Sequence, residues 1–450
     1  MTEPKRLRVP DPLVLLSACI LLATVATWVL PAGEFERRED AATGRMVVVA
    51  ESYRAVEASP VGPFDAVVAL PLGMIEAADV IFLVFLIGGA FVVVDASGTL
   101  GRAMAGLAHK LRGRDLLVIP IVSAFFALGG VTENMAEEIV ALIPVLLILC
   151  ARVGFTPLVA VSMSVGAAFV GGAFSPVNPF QVLIAQGVAG LPPVSGWAFR
   201  TLFLLIALAL WIGMTMRYAA RTRIAPKAVE AGEVAALTAR DWLVLAMVGV
   251  TFAVVVWGLL RAGWDFNRLS AAFFIMGVAV GLVSGMGFGG TASAFVRGFR
   301  EMAYAGLLIG FARAIYVVLD QGRIIDTIVH GAFLPLEGLP TLVSAFGMLV
   351  AQAAIHVPVP SVSGQAVLTM PLLVPLSDLL DISRQVTVLA YQYGAGLCSL
   401  LTPTDGALMA VIAAAGVRYD EWLRFAVPLY LMLMALGAVA IAIAMGIGLT

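Results

Sequence analysis

Apolar runs recur along this chain from residue 12 to the C-terminus, separated by short polar breaks. A helix rises 1.5 Å per residue, so a crossing of roughly 30 Å of hydrocarbon takes about 20 residues. Full spans are expected at 13–31, 78–96, 197–216, 242–260, 268–287, 303–320 and 424–448. Two further apolar segments, 155–190 and 385–416, are long but interrupted by proline and glycine. Segments 115–150 and 338–380 are ambiguous: each reads as two crossings or as one hairpin that enters and leaves on the same face. The arms 116–130 and 136–150 flank the polar stretch TENMA and are each only about 22 Å long. In the second segment HVPVPSVSG (356–364) breaks the helix with prolines and a glycine. Arm length favours hairpins.

Composition fixes the class. Of the 450 residues, 61% are hydrophobic and 12% charged, where soluble domains carry roughly 25% charged residues. The chain therefore reads as an all-α polytopic membrane protein. A net charge of −2 gives no reason to expect nucleic acid as a partner. The three cysteines, Cys19, Cys150 and Cys398, lie in separate apolar segments and imply neither a metal site nor a disulfide framework. The basic N-terminus MTEPKRLRVPDP leads into a long apolar segment, read as a first spanning helix that enters from the cytoplasm.

Basic residues mark cytoplasmic loops. With both ambiguous segments re-entrant, 17 of the 27 Lys and Arg fall inside and 9 outside, Arg313 being intramembrane. With both segments crossing fully, the two sides carry equal numbers. The expectation is therefore about nine transmembrane helices plus two re-entrant helical hairpins, with the N-terminus cytoplasmic and the C-terminus external.

The halves resemble each other at an offset near 227. SPVNP (175–179) falls on TPTDG (402–406), and Pro144 on Pro371. With nine crossings the two repeats are inverted, an arrangement common in secondary transporters. The loop 217–240 reads as a cytoplasmic linker, 33–63 as an external loop without a recognisable fold, and 99–112 and 323–334 as surface arms before each hairpin.

Irregular backbone cannot face lipid, so it marks a cavity. Four such places are legible: the tips TEN (132–134) and PSVSG (360–364), and the breaks SPVNP and TPTDG. The breaks add Ser175, Asn178, Thr402, Thr404 and Asp405. Carboxylates buried in a bilayer are costly and mark pathways or counter-ions. Glu133 is at the tip with Asn134, Glu137 lies one turn further on, and Glu138 points elsewhere or caps the helix 136–150. Glu133, Glu137 and Asp405 are expected to bind a cationic group, of the substrate or a coupling Na⁺ or H⁺. Arg313 either binds a substrate carboxylate or pairs with Asp95, Asp320 or a hairpin carboxylate, the ion pair being favoured. Tyr391, Gln392 and Tyr393 precede TPTDG and read as packing residues ahead of ligands; Gln181 and Gln186 are weaker candidates. His356 reads as a satisfied structural histidine, His109 as cytoplasmic and His330 as external. The three histidines form no hydrolase-like cluster, so no enzyme is expected, and no resident cofactor. No ATPase motif occurs, so energy would come from a gradient or from exchange; a channel is the alternative from another class.

The stretches ENMAEEIVALIPVL, FSPVNPFQVLIAQGVAGLPPVSGWAFR and VSGQAVLTMPLLVPLSDLLDISRQ, with PAGEFER, resemble the YfcC-type branch of the C4-dicarboxylate anaerobic carrier family, in the ion transporter superfamily. The likeness covers nearly the whole chain. It implies a homodimeric elevator transporter of the bacterial inner membrane. Scaffold segments would be 1–114 and 241–337, and mobile transport segments 115–190 and 338–416. Residues 191–240 would link the halves and 417–450 form the last helix. The superfamily's tip and break motifs carry over onto Thr132, Glu133 and Asn134, onto Ser175 and Asn178, onto Ser361 and Ser363, and onto Thr402, Thr404 and Asp405. A coupling Na⁺ would lie near Asn134, Ser363 and Asp405. The tip here reads TEN where the dicarboxylate relatives carry serine–asparagine–threonine. The branch is associated by similarity with exchange of basic amino acids, which suits an acidic tip. A C4-dicarboxylate or other small carboxylate, coupled to Na⁺ or H⁺, is the alternative substrate.

Overall fold

In a computed structural model, the structure describes residues 11–40, 44–110, 114–226, 237–262, 264–336 and 338–449. The basic N-terminal stretch, most of the linker centre (227–236) and the His109 side chain lie outside the described residues. Eight helices among the described residues are long and apolar enough to cross a membrane.

α1 (Pro12–Val29) starts at Asp11, whose side chain accepts the Leu13 N–H at 2.9 Å, with proline at the first helical position. The chain then forms β1 (Gly33–Glu34), β2 (Arg37–Glu39), β3 (Met46–Val48) and β4 (Arg54–Ala55). β1 pairs antiparallel with β4, and β2 with β3. The segment expected to lack a fold is thus two short ribbons. They escape sequence reading because their strands are two or three residues long and rich in Arg and Glu.

α2 (Pro63–Glu76) and α3 (Ala78–Ala96) meet at a kink at Ala77. The arm α4 (Thr99–Lys110) follows. α5 (Val118–Glu133) and α6 (Glu137–Val153) are joined by Asn134–Ala136. α7 (Pro157–Val161) and α8 (Ala167–Ala173) sandwich a π turn at Ser162–Gly166, where the Trp211 indole N–H donates to the Ser162 carbonyl at 2.9 Å. After a break the chain resumes in a π turn (Pro179–Leu183) and α9 (Ile184–Val188).

The second half begins after α10 (Trp197–Arg221) with α11 (Ala239–Ala262), α12 (Phe266–Val283) and α13 (Gly287–Gln321). α13 runs 35 residues, so Arg297 and Arg300 sit inside a continuous helix and not in the loop expected before residue 303. The arm α14 (Ile325–Phe333) precedes α15 (Thr341–His356) and α16 (Val362–Leu379). α17 (Arg384–Cys398), a break, α18 (Gly406–Ala414) and α19 (Tyr419–Gly446) complete the chain.

Two of the eight apolar helices, Asp115–Glu133 and Val362–Leu379, fall in the segments read as hairpins, and the first exceeds the arm length expected for it. Each is paired with a shorter helix, α6 of 17 residues and α15 of 16. α13 packs along α1, α2 and α3 and reaches α18, while α12 packs on α3. A second group gathers α5 on α8, and α15 and α16 on α17. Glycine permits the closest of these approaches. A methyl on Gly130 would lie 1.9 Å from the Ala168 carbonyl oxygen, and one on Gly171 2.3 Å from that of Ala127.

Candidate functional site

The two turns and the two breaks converge. The α5–α6 turn ends α5 in a left-handed residue, Asn134 (φ 55°), a conformation asparagine tolerates well. Its Oδ1 accepts from Gln181 Nε2 at 2.7 Å. Glu133 is the last residue of α5, and Glu137 and Glu138 open α6. One Glu138 oxygen accepts the Ala136 N–H at 3.3 Å, the capping that is one of the two readings open to it.

The first break is held by its own side chains. Ser175 Oγ donates to the Val131 carbonyl at 2.7 Å, and Asn178 Nδ2 to that of Gly130 at 2.8 Å. Both acceptors lie in the last turn of α5, where carbonyls lack helical partners. Asn178 Oδ1 in turn accepts the N–H groups of Phe180 and Gln181 at 2.9 and 3.0 Å. The second break repeats this device. Thr404 Oγ1 donates to the Val357 carbonyl at the end of α15, 2.5 Å away, and contacts Thr402 Oγ1 at 2.9 Å. Asp405 caps α18 through the Leu408 N–H at 2.9 Å. Asn178 and Asp405 stand at corresponding places, each capping the helix that follows its break.

These elements enclose a cavity of about 970 Å³. Its walls include Glu133, Asn134, Glu137 and Glu138 from the first turn, and Ser361 and Ser363 from the second. Thr404, Asp405 and Arg313 also line it. Among the described residues, no cation forms an ion pair with Glu133, Glu137, Glu138 or Asp405.

Other expected residues do not line the cavity. Ser175, Asn178 and Thr402 are buried and hold the breaks. Thr132 Oγ1 donates to its own helix at Leu128 O, 2.9 Å away. Tyr391 donates to the Val362 carbonyl at 2.6 Å, and Gln392 Nε2 to that of Ser175 at 2.7 Å. Tyr393 packs against Phe174 in a tilted pair, ring centroids 4.6 Å apart. These three are packing residues. Arg313 pairs with Glu76, Nε to Oε2 at 2.9 Å, not with Asp95, Asp320 or a hairpin carboxylate. Glu76 lies in a helix that the apolar pattern does not announce, so the pairing had no local signal.

Three features were underweighted or missed. Gln181 lines the cavity and tethers Asn134. His356 is buried on the cavity wall with both ring nitrogens bonded, to Gln365 Oε1 and to Ser399 Oγ, each at 2.9 Å. Arg200 is fully buried, donating to Gln392, Gln385 and the Ser195 carbonyl. Among the described residues no group of three or more His, Cys, Asp or Glu is placed to hold a metal ion. Asn134, Ser363 and Asp405 line the same cavity, and Asn134 Oδ1 already accepts from Gln181.

A family model described as C4-dicarboxylate anaerobic carrier matches residues 9–446. The chain belongs to this carrier family. It is a multi-pass membrane transporter by that membership and by its apolar helices. It is 33% identical over 488 aligned residues, 96% of each chain, to the Escherichia coli (strain K12) protein named "Putative basic amino acid antiporter YfcC". It is 28% identical over 484 residues, 95% of each chain, to an uncharacterised protein of Haemophilus influenzae. Among solved structures, the Alcanivorax borkumensis YdaH transporter aligns over 98% of this chain and 99% of its own, with 20% identity and a TM-score of 0.46. The Neisseria gonorrhoeae antimetabolite efflux pump MtrF aligns over 96% and 95%, with 18% identity and a TM-score of 0.41.

Proposed function

We propose that this carrier moves a basic amino acid or related cationic amine across the bacterial inner membrane. The observation that carries this is the cavity's excess of carboxylates, eight in its lining, of which Glu133, Glu137, Glu138 and Asp405 at the turns and the second break form no ion pair among the described residues. Anions grouped in a low-dielectric wall attract a cation and repel a free dicarboxylate. The name borne by the Escherichia coli relative agrees with this class. In our reading the α5–α6 and α15–α16 pairs are re-entrant hairpins of two inverted repeats. They move with α7–α9, α17 and α18 against the remaining helices in an elevator cycle within a homodimer. The N-terminus is cytoplasmic, the C-terminus external, and exchange or a coupled Na⁺ or H⁺ drives the cycle. A C4-dicarboxylate substrate is the second reading, favoured by Arg313 on the cavity wall and by the family's description.

Radiolabelled uptake into proteoliposomes tests the choice. Wild type should move lysine or arginine in preference to succinate. Glu137→Gln and Asp405→Asn should each lower that transport at least about tenfold, the loss of roughly 1.4 kcal/mol of binding. Wild-type transport by both variants would reject the cation site, and preference for succinate would select the second reading.

A further inference from the structure

The geometry points to Arg313 as the group that reads the substrate's α-carboxylate, so that the cavity selects a whole basic amino acid over the bare amine. This rests on the cation reading of the cavity and adds to it an opposite pole.

Arg313 is prepared for such a role. Its Nε is held by Glu76 at 2.9 Å, and its guanidinium lies 4.7 Å over the Tyr316 ring. Ion pair and ring fix the plane of the group. Neither Nη donates to another described group, so the outer edge keeps two parallel N–H directions, the fork that matches a carboxylate. The side chain is 42% exposed and lines the cavity.

The acidic residues line the same cavity. A methyl on Gly406 would lie 3.1 Å from Ile309 Cα and 3.4 Å from Ala312 Cβ. The residue before Arg313 therefore packs against the residue after Asp405. Cation and carboxylates stand on adjoining walls of one cavity. A zwitterion with a cationic side chain satisfies both walls. An amine without a carboxylate leaves the Arg313 fork unpaired, and a dicarboxylate meets Asp405 and Glu137 as like charges. Glu76 already neutralises Arg313 in part, and so acts as an internal rival for the substrate carboxylate. Asp320 also lines this wall and adds to that rivalry.

Calorimetric titration of the full chain in lipid nanodiscs, with lysine and with cadaverine (lysine lacking its carboxylate), tests the assignment. Wild type should bind lysine at least about tenfold more tightly, the ratio expected for one charge-assisted contact of roughly 1.4 kcal/mol. Arg313→Gln should remove that ratio by weakening lysine alone. Arg313→Lys, which keeps charge but loses the fork, should fall between. Glu76→Gln should strengthen lysine and leave cadaverine unchanged. A purely structural Arg313–Glu76 pair would instead weaken both ligands alike in both variants, and that result overturns the assignment. Equal wild-type affinity for the two ligands also overturns it while leaving the cation site intact. Binding of neither ligand overturns the cation reading itself, and Arg313's role with it.

Discussion

Asn178 Nδ2 lies 2.8 Å from the carbonyl oxygen of Gly130, joining the first helix break to the end of α5. The same side chain caps the next helix through its Oδ1. Asn178→Ala thus removes one buried contact and one cap together. The first leaves a buried carbonyl unpaired, at about 1–3 kcal/mol, and the second costs about 1 kcal/mol more. A lowered unfolding midpoint in detergent is the expected result. An unchanged midpoint for the alanine variant would contradict the clamp.

The backbone approach at Gly130 makes a second, sharper expectation. Any Cβ there meets the Ala168 carbonyl oxygen at 1.9 Å, and that atom is backbone and cannot turn away. Gly130→Ala should push α5 from α8 and sharply reduce the folded yield by size-exclusion chromatography. Gly213, inside α10, has nothing within 4 Å of the place a methyl would occupy. Gly213→Ala should therefore be neutral or stabilising by up to about 1 kcal/mol. Equal behaviour of the two variants would refute the packing argument.

Much of this arrangement was legible in the chain. Prolines and glycines in HVPVPSVSG, SPVNP and TPTDG marked irregular backbone, and the structure turns or breaks there. Glu133, Glu137, Glu138 and Asp405 stood out because carboxylates are rare in apolar runs. What the sequence hid was partnership over distance. Ser175 and Asn178 looked like ligands because both are short and polar, yet their bonds go to carbonyls more than forty residues earlier. Glu76 could not be matched to Arg313 across 237 residues without the packing of α2 on α13. The ribbon strands and the long α13 lacked clean apolar periodicity, so neither had a pattern to read.

The network around His356 fixes its tautomer. Gln365 Nε2 donates to Gln352 twice, to the backbone oxygen at 2.7 Å and to Oε1 at 2.5 Å. Gln352 Nε2 in turn donates to Thr369 at 2.8 Å. Gln365 Oε1 is therefore the atom facing His356 Nδ1, which must carry the hydrogen in the neutral ring. Nε2 then accepts from Ser399. With only three histidines in the chain, ¹⁵N-histidine NMR with His356→Asn as the assignment control can read this directly. A neutral His356 with its hydrogen on Nε2 would refute the network. His356→Leu, leaving two buried polar atoms unpaired, should destabilise by about 2–6 kcal/mol, and more than His356→Asn, whose amide retains a donor for Gln365.

Asp241, at the start of α11, ties that helix to the arm α4 and sets a pH dependence of stability. Its carboxylate accepts from Arg102 at 2.5 Å, from Thr99 at 2.7 Å and from Thr238 at 2.7 Å. The Arg102 guanidinium first, and the threonine donors after it, hold its pKa well below the usual carboxylate range. A group whose folded pKa is depressed stabilises at pH values above its unfolded pKa and loses that contribution as pH falls toward the folded value. Asp241→Asn should consequently lower the unfolding midpoint at neutral pH. The gap from wild type should stay constant down to about pH 4, the ordinary aspartate value, and then narrow as the unfolded wild-type chain takes up a proton that the folded carboxylate still refuses. Thermal unfolding of both proteins across that range, at fixed salt, measures the gap. A gap that stays constant below pH 4, or widens there, would mean that the Arg102–Asp241 contact does not hold the arm in place.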